Sequence, residues 1–296
     1  MKRHLYGMVC ATITPYDEAG NPCEADIRSI CRYLVENGAH GLYPNGTNGE
    51  SLSLRSSERR QIAAWFADEN RGRAVLAIQC GAATTEDTYA LVRHAARLNC
   101  DAAGIMTPVF WPLDERAMED YYTGIVDEVG DFPIYLYNIP SRSGNDVPPT
   151  LLARLMENHA NIYGIKCSMP DLIRISDYLR CTQRETDVLI GNDTLALSCL
   201  ALGGKGFVTG PGAVFLKLNV GIYEAFVEGD IKRAQGLQTE LIDILRMIRN
   251  IPEIPAIKYM LMRMGVIHND ACRRPLRALT GEEKRCLDRA MIAARV

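Results

Sequence analysis

The stretch NIYGIKCS, Asn161 to Ser168, places one lysine at the end of a run of apolar and small residues with no acidic neighbour. A short run that is apolar nearly throughout, rather than alternating, is the pattern of a parallel β-strand covered on both faces. Runs of the same kind recur along the chain: GMVCATIT from Gly7, GLYPNG from Gly41, AVLAIQCG from Ala74, AAGIMTP from Ala102, PIYLYNIP from Pro133, VLIGND from Val188 and KGFVTG from Lys205. Amphipathic helical patterns separate them, the first three near residues 26–38, 57–70 and 86–98. About eight strand-helix units close a TIM barrel, whereas the competing doubly wound sheet usually has fewer strands in a domain. The expected fold class is therefore α/β, a TIM (β/α)8 barrel with a C-terminal helical extension. Residues 1–217 are assigned to the barrel. Residues 218–296 read as helices only and are expected to pack on the barrel as part of one structural unit.

Composition is ordinary for a globular chain: 47% of the residues are hydrophobic and 23% charged, enough apolar material for a large core. A formal net charge of -3 gives no basic footprint for nucleic acid, and no dense basic run marks a membrane surface. No segment approaches the roughly 18 uninterrupted apolar residues of a membrane span. The N-terminal MKRHLYGMVCATITPYDEAG has too short and broken an apolar stretch for a signal peptide, so a cytoplasmic protein is expected. The ten cysteines form no CxxC pair and read as reduced core residues. The five histidines show neither HxH nor HExxH spacing, so no metal site is expected.

In a barrel of this kind the strand C-termini point into the active-site mouth. The polar residues that fall there are Thr47, Asn48, Glu50, Tyr137, Asn138, Lys166, Asn192 and Asp193. Lys166 is the sharpest. Desolvation penalises an ammonium and raises the fraction of neutral amine, a nucleophile that forms a Schiff base with a ketone. Its bland reading is a lysine that snorkels to water or meets a distant carboxylate. Tyr137 alone reads as a core aromatic, but beside an amine a phenol suits proton transfer. Arg142 reads either as a solvated loop charge or as a fork for a carboxylate. GTNGES, Gly46 to Ser51, has backbone N–H groups free for an anion or is only a connector. GGKGFVTGPG, Gly203 to Gly212, is neither a Walker loop nor a dinucleotide fingerprint.

Together these stretches resemble the dihydrodipicolinate synthase and N-acetylneuraminate lyase family of class I pyruvate-dependent aldolases, from about Tyr6 to the C-terminal helices. GTNGES is similar to the family's G-[ST]-T-G-E loop, YNIPSRSG to its Y-N-x-P-x-x-[ST]-G segment, and GIKCS to the G-x-K strand. The resemblance implies that Lys166 forms a Schiff base with pyruvate or another 2-keto acid, with Tyr137 as proton relay and Thr47 in the catalytic set. It implies that Thr47 and the backbone at Asn48 hold the keto acid's carboxylate, with the main chain near Val208 lining the site. Arg142 resembles the synthase branch, where an arginine meets the second substrate, and Asp193 the sialate-cleaving branch, where it contacts hydroxyls. An aldehyde partner, a homotetramer built from dimers and no metal or organic cofactor are implied as well, the lysine iminium being itself the electron sink.

The sequence departs from the pattern in three places. Asn48 replaces the loop's second threonine. Phe110, in TPVFWP, stands where synthases and sialate lyases usually carry a tyrosine, which in synthases completes a proton relay across a subunit interface. Ser56, Arg59, Ala83 and Val109 stand where lysine-inhibited synthases carry their inhibitor-binding side chains, so lysine feedback is not expected. Dihydrodipicolinate synthase proper, an N-acetylneuraminate-lyase-like enzyme and a 2-keto-3-deoxy sugar-acid aldolase or dehydratase stay open. A keto-acid binder without turnover is the alternative from a different class.

Overall fold

The computed structural model describes residues 3–98 and 100–296. Eight strands run β1 Gly7–Cys10, β2 Gly41–Leu42, β3 Val75–Gln79, β4 Ala102–Met106, β5 Ile134–Asn138, β6 Ile162–Cys167, β7 Asp187–Ile190 and β8 Gly206–Thr209. Each pairs in parallel with the next, and β8 closes on β1 with Gly7 opposite Gly206. The chain thus adopts the expected TIM barrel.

Helices α1 Glu24–Glu36, α2 Ser56–Asn70, α3 Thr85–Arg97 and α4 Glu115–Asp127 follow the first four strands. A single turn, α5 Pro140–Ser143, precedes α6 Pro149–Asn158; α7 Leu172–Arg180, α8 Ala196–Ala201 and α9 Leu216–Val227 follow the last three strands. The extension continues as α10 Ile231–Ile248, α11 Glu253–Arg263 and α12 Gly281–Ala294. Local chemistry starts these helices where they start. Thr84 accepts from the Asp87 N–H at the head of α3, and Asp114 from the Ala117 N–H at the head of α4. Thr280 and Glu283 form a reciprocal capping box on α12. The boundary expected between residues 217 and 218 falls inside α9, which follows β8 and packs on β1. We therefore assign α9 to the barrel and α10–α12 to the extension.

Alternation along the strands sorts side chains into two cores. Ile165 and Cys167 of β6 point outward into the layer between strands and helices. Val9, Val75, Ala77, Tyr135, Leu189 and Val208 point inward and fill the barrel. Gly164 and Lys166 share that inward face. A Cβ on Gly164 would lie 1.9 Å from the Asp187 carbonyl oxygen, so only glycine allows β6 and β7 to approach there. One inward position further along, Lys166 reaches the mouth. No helix among the described residues is long and apolar enough to cross a membrane.

Candidate active site

Thr47, Asn48, Tyr137, Arg142, Lys166, Asp193 and Val208, the positions to which the resemblance gives a role in the site, line one cavity of about 190 Å³ at the strand C-termini. They come from six separate loops and strand ends, and barrel closure alone brings them together.

Lys166 is 4% exposed, and no ion pair among the described residues includes it. Its Nζ lies 3.9 Å from the ring centre of Tyr137 and 4.6 Å from that of Tyr43. Two aromatic faces therefore take the place of a carboxylate partner, which attracts the ammonium without fixing it in a salt bridge. Tyr43 fits beneath because Gly104 has no side chain: a Cβ there would lie 1.8 Å from the Tyr43 hydroxyl.

Tyr137 is adjacent to Lys166 in the β5–β6 register. Its hydroxyl is 3.3 Å from Thr47 Oγ1, and Ser168 and Lys166 also hydrogen bond to it. Burial alone pushes the phenol up, but the Lys166 charge and these hydrogen bonds outweigh it, holding the phenol below its usual range. An acid-base group thus lies beside the amine, already wired to a second hydroxyl. Such an arrangement suits a reaction in which an amine attacks and protons must move.

Asn48 is buried at the back of the loop, where its Nδ2 donates to Glu253 Oε1 at 3.0 Å. Its side chain is therefore engaged with α11, which leaves the backbone N–H as the group suited to a ligand carboxylate. Arg142 sits on the single-turn α5, which Gly144 ends at φ +84°, and its side chain is exposed at the mouth. Asp193 lies beyond β7 with Oδ1 buried and without a hydrogen-bond partner among the described residues. Burial first, and then the nearby Glu253 charge, raise its carboxyl to about 6 against the pull of Thr209.

Three polar residues expected near the mouth have other partners. Glu50 pairs with Lys258 Nζ at 2.5 Å in a fully buried contact. Asn138 Nδ2 donates to Asp146 and to the Tyr178 hydroxyl, and Asn192 Oδ1 accepts from the Thr194 N–H. Among the inhibitor-site positions, Ser56 donates to Asp87, and Arg59 is buried with its guanidinium on the Gly81 and Gln79 carbonyls. Ser168 and Glu253, which line the cavity, and Tyr43, which lies beneath the Lys166 amine, were missed. Ser168 was within reach of a period-of-two argument, since it follows Lys166 on the same face. Glu253 carried no local signal, because the extension delivers it.

The Dihydrodipicolinate synthetase family model matches residues 4–294. A DapA-like lyase of Halobacterium salinarum is 32% identical over 285 residues, covering 96% of this chain and 92% of that protein. The 4-hydroxy-tetrahydrodipicolinate synthase of Nitrobacter hamburgensis is 31% identical over 293 residues, covering 99% and 98%. The crystal structure of dihydrodipicolinate synthase from Aquifex aeolicus superposes with a TM-score of 0.93 at 25% identity, covering 98% of each chain. YagE, a prophage protein from E. coli K12 solved in complex with pyruvate, superposes with the same TM-score of 0.93 at 24% identity, again over 98% of each chain. Matched along nearly its whole length by the family model and by relatives above 30% identity, the chain belongs to the dihydrodipicolinate synthetase family.

Proposed function

We propose that the protein is a lyase in which Lys166 forms a Schiff base with pyruvate or a related 2-keto acid, and which makes or breaks a C–C bond at the adjacent carbon. The observation that carries this reading is a buried lysine with no ion pair among the described residues, stacked on a tyrosine whose hydroxyl is wired to Thr47. The pyruvate bound by YagE, a protein of the same fold, supports the choice of keto acid.

The neutral amine attacks the keto carbon, the carbonyl oxygen leaves as water after taking up protons, and an iminium remains. Loss of a proton from the neighbouring carbon gives an enamine. That carbon bonds to the carbon of an aldehyde, whose oxygen is protonated, and water then hydrolyses the iminium to release product and lysine. Tyr137 moves the protons, passing them through Thr47. Thr47 Oγ1 and the Asn48 backbone N–H hold the keto acid's carboxylate, Val208 lines the opposite wall, and Arg142 stands ready for an anionic group on the second reactant. The chemistry calls for no metal or organic cofactor, the iminium serving as electron sink.

A homotetramer of dimers, working in the cytoplasm, is part of the same reading. Phe110, Trp111 and Leu52, which are 79%, 70% and 59% exposed, support contact with another copy.

Borohydride reduction with pyruvate, followed by peptide mass spectrometry, tests the proposal. A pyruvate-derived adduct on the Lys166 peptide is expected; failure with pyruvate and with other 2-keto acids would return Lys166 to a structural role. The Phe110 side chain, which has no proton to relay, favours one other reading, a keto-acid binder without turnover. Deuterium exchange into pyruvate's methyl group separates the two, since only a working enamine catalyses it.

A further inference from the structure

Glutamate is a costly choice at position 50. Its φ of 57° and ψ of 36° lie in the left-handed region, which glycine enters freely and a residue with a long side chain enters only under constraint. Asn45, at φ 61°, occupies the same region at the other end of the loop. Between them the chain closes on itself: the Glu50 N–H donates to Thr47 O at 3.0 Å, and the Ser51 N–H to Gly46 O at 3.3 Å. The direction in which Thr47 and Asn48 face the cavity therefore depends on Glu50 keeping its conformation.

The extension supplies the constraint. Lys258 of α11, fully buried, brings Nζ to 2.5 Å from Glu50 Oε1, and the Arg273 N–H donates to Oε2 at 2.9 Å, so both carboxylate oxygens are taken. Lys258 is itself located from two further sides, donating to Ala271 O at 2.7 Å and lying 4.2 Å from the centre of the Tyr16 ring. Neither Lys258 nor Glu50 lines the cavity around Lys166. Stability alone does not account for the pair, because burying two charges is expensive and apolar side chains of similar volume often serve as well or better. What an ion pair adds is a fixed direction. The object it directs is the turn that presents the Asn48 N–H and Thr47 Oγ1, the latter 3.3 Å from the Tyr137 hydroxyl.

We propose that Lys258 is a positioning residue for the keto acid: through Glu50 it holds the turn from Gly46 to Ser51 in the conformation that receives the reactant's carboxylate, without touching the reactant. The inference rests on the Schiff-base reading and adds to it the group that keeps the carboxylate site in shape. Its consequence is selective. Loss of the pair should weaken recognition of a carboxylate far more than it weakens the Lys166 amine, which stands on a different strand.

Acetone is pyruvate with a methyl group in place of the carboxylate, so it reports on the amine alone. The full-length wild type and Lys258→Met are each incubated with pyruvate or with acetone under cyanoborohydride, which reduces an iminium in preference to a free ketone, and the initial rate of adduct formation on the Lys166 peptide is read by mass spectrometry. Lys258→Met is expected to lower the pyruvate rate by about 10–100-fold, the effect of roughly an ångström of displacement in a positioned group, and to leave the acetone rate nearly unchanged. Damage to the barrel as a whole lowers both rates by the same factor, and that result overturns the assignment, as does a pyruvate rate that does not fall. Where acetone gives no measurable adduct with the wild type, deuterium exchange into pyruvate's methyl group takes its place: a raised KM supports the assignment and a KM that does not rise overturns it. If the stranded Glu50 charge unfolds Lys258→Met, as circular dichroism would show, the double variant Lys258→Met/Glu50→Gln removes both charges and is read in the same way. Absence of a pyruvate adduct in the wild type would remove the Schiff-base reading and this inference with it, whereas an adduct whose two rates keep their wild-type ratio in the variant removes this inference alone.

Discussion

Lys166 and Tyr137 are register partners on neighbouring strands, and the lysine Nζ lies 3.9 Å from the centre of the tyrosine ring. Each answers a problem the other has. The lysine has no carboxylate partner among the described residues and finds a π-face; the buried phenol has a charge beside it that draws its proton affinity down.

If the phenol is the proton carrier, its removal should affect rate more than capture. Tyr137→Phe keeps the ring beneath Lys166 and loses the bond to Thr47. The expected result is a pyruvate adduct that still forms on prolonged incubation, with turnover slowed by roughly 10²–10⁴-fold. Lys166→Met should fold and give no adduct at all. Stopped-flow rates and adduct mass check both, and full turnover in either variant would take that residue out of the mechanism.

Asp193 gives a prediction about stability against pH. Its carboxyl is raised from a usual value near 3.8 to about 6, so the native state holds the proton more tightly than the unfolded chain. The sign follows: this group's contribution is most favourable below about pH 4 and is lost as pH rises through 6. Asp193→Asn should therefore stabilise the protein at pH 7 by ~1–3 kcal/mol, a gain that disappears near pH 4. Urea midpoints at the two pH values measure it. No gain at pH 7 would mean that solvent or an ion already neutralises the carboxylate.

Glu58 behaves in the opposite sense. Hydrogen bonds from Arg273, opposed by burial and helped by Arg55, bring its carboxyl from about 4.5 down to about 2. The stabilisation is present above the unfolded pKa and is lost as pH falls through 2. Arg273 also donates to Ser53 O and through its backbone N–H to Glu50, so one arginine ties the GTNGES loop to the extension. Arg273→Met should cost roughly 1–3 kcal/mol by leaving the buried Glu58 carboxylate short of its main partner, the backbone bond to Glu50 being kept, and should flatten the acid limb of the stability curve between pH 4 and 2. An unchanged acid limb would place the linkage elsewhere.

The barrel was legible because each strand carries its own burial pattern, and the residues that meet in the cavity could be picked out because they stand at or just beyond strand ends. Even β2, reduced to Gly41–Leu42, announced itself through GLYPNG. Partnerships across the fold were not legible. Glu50 sits next to the cavity loop in sequence, yet a left-handed turn at φ 57° carries it into the Lys258 ion pair. Asn48 reads as a donor to a ligand until Gly210 and Glu253 are seen around it. Local patterns record burial and chain direction, whereas these contacts depend on where the extension docks.

Phe110 combines two costs: it is 79% exposed, and its φ of 81° lies in the left-handed region, which disfavours a bulky side chain by about 1–2 kcal/mol. Its N–H donates to Ser143 O at 3.1 Å, so the backbone is pinned in that conformation next to α5 and Arg142. Strain held on an exposed aromatic makes sense if the ring is buried by another copy of the chain. Phe110→Gly removes both the ring and the strain. In dilute solution the protomer's urea midpoint should hold or rise, while self-association weakens by roughly tenfold or more, as losing a buried phenylalanine would require. Sedimentation equilibrium measures the second effect. A variant that associates as tightly as the wild type would show that the ring serves the mouth of its own barrel, and the assembly would have to be sought on another face.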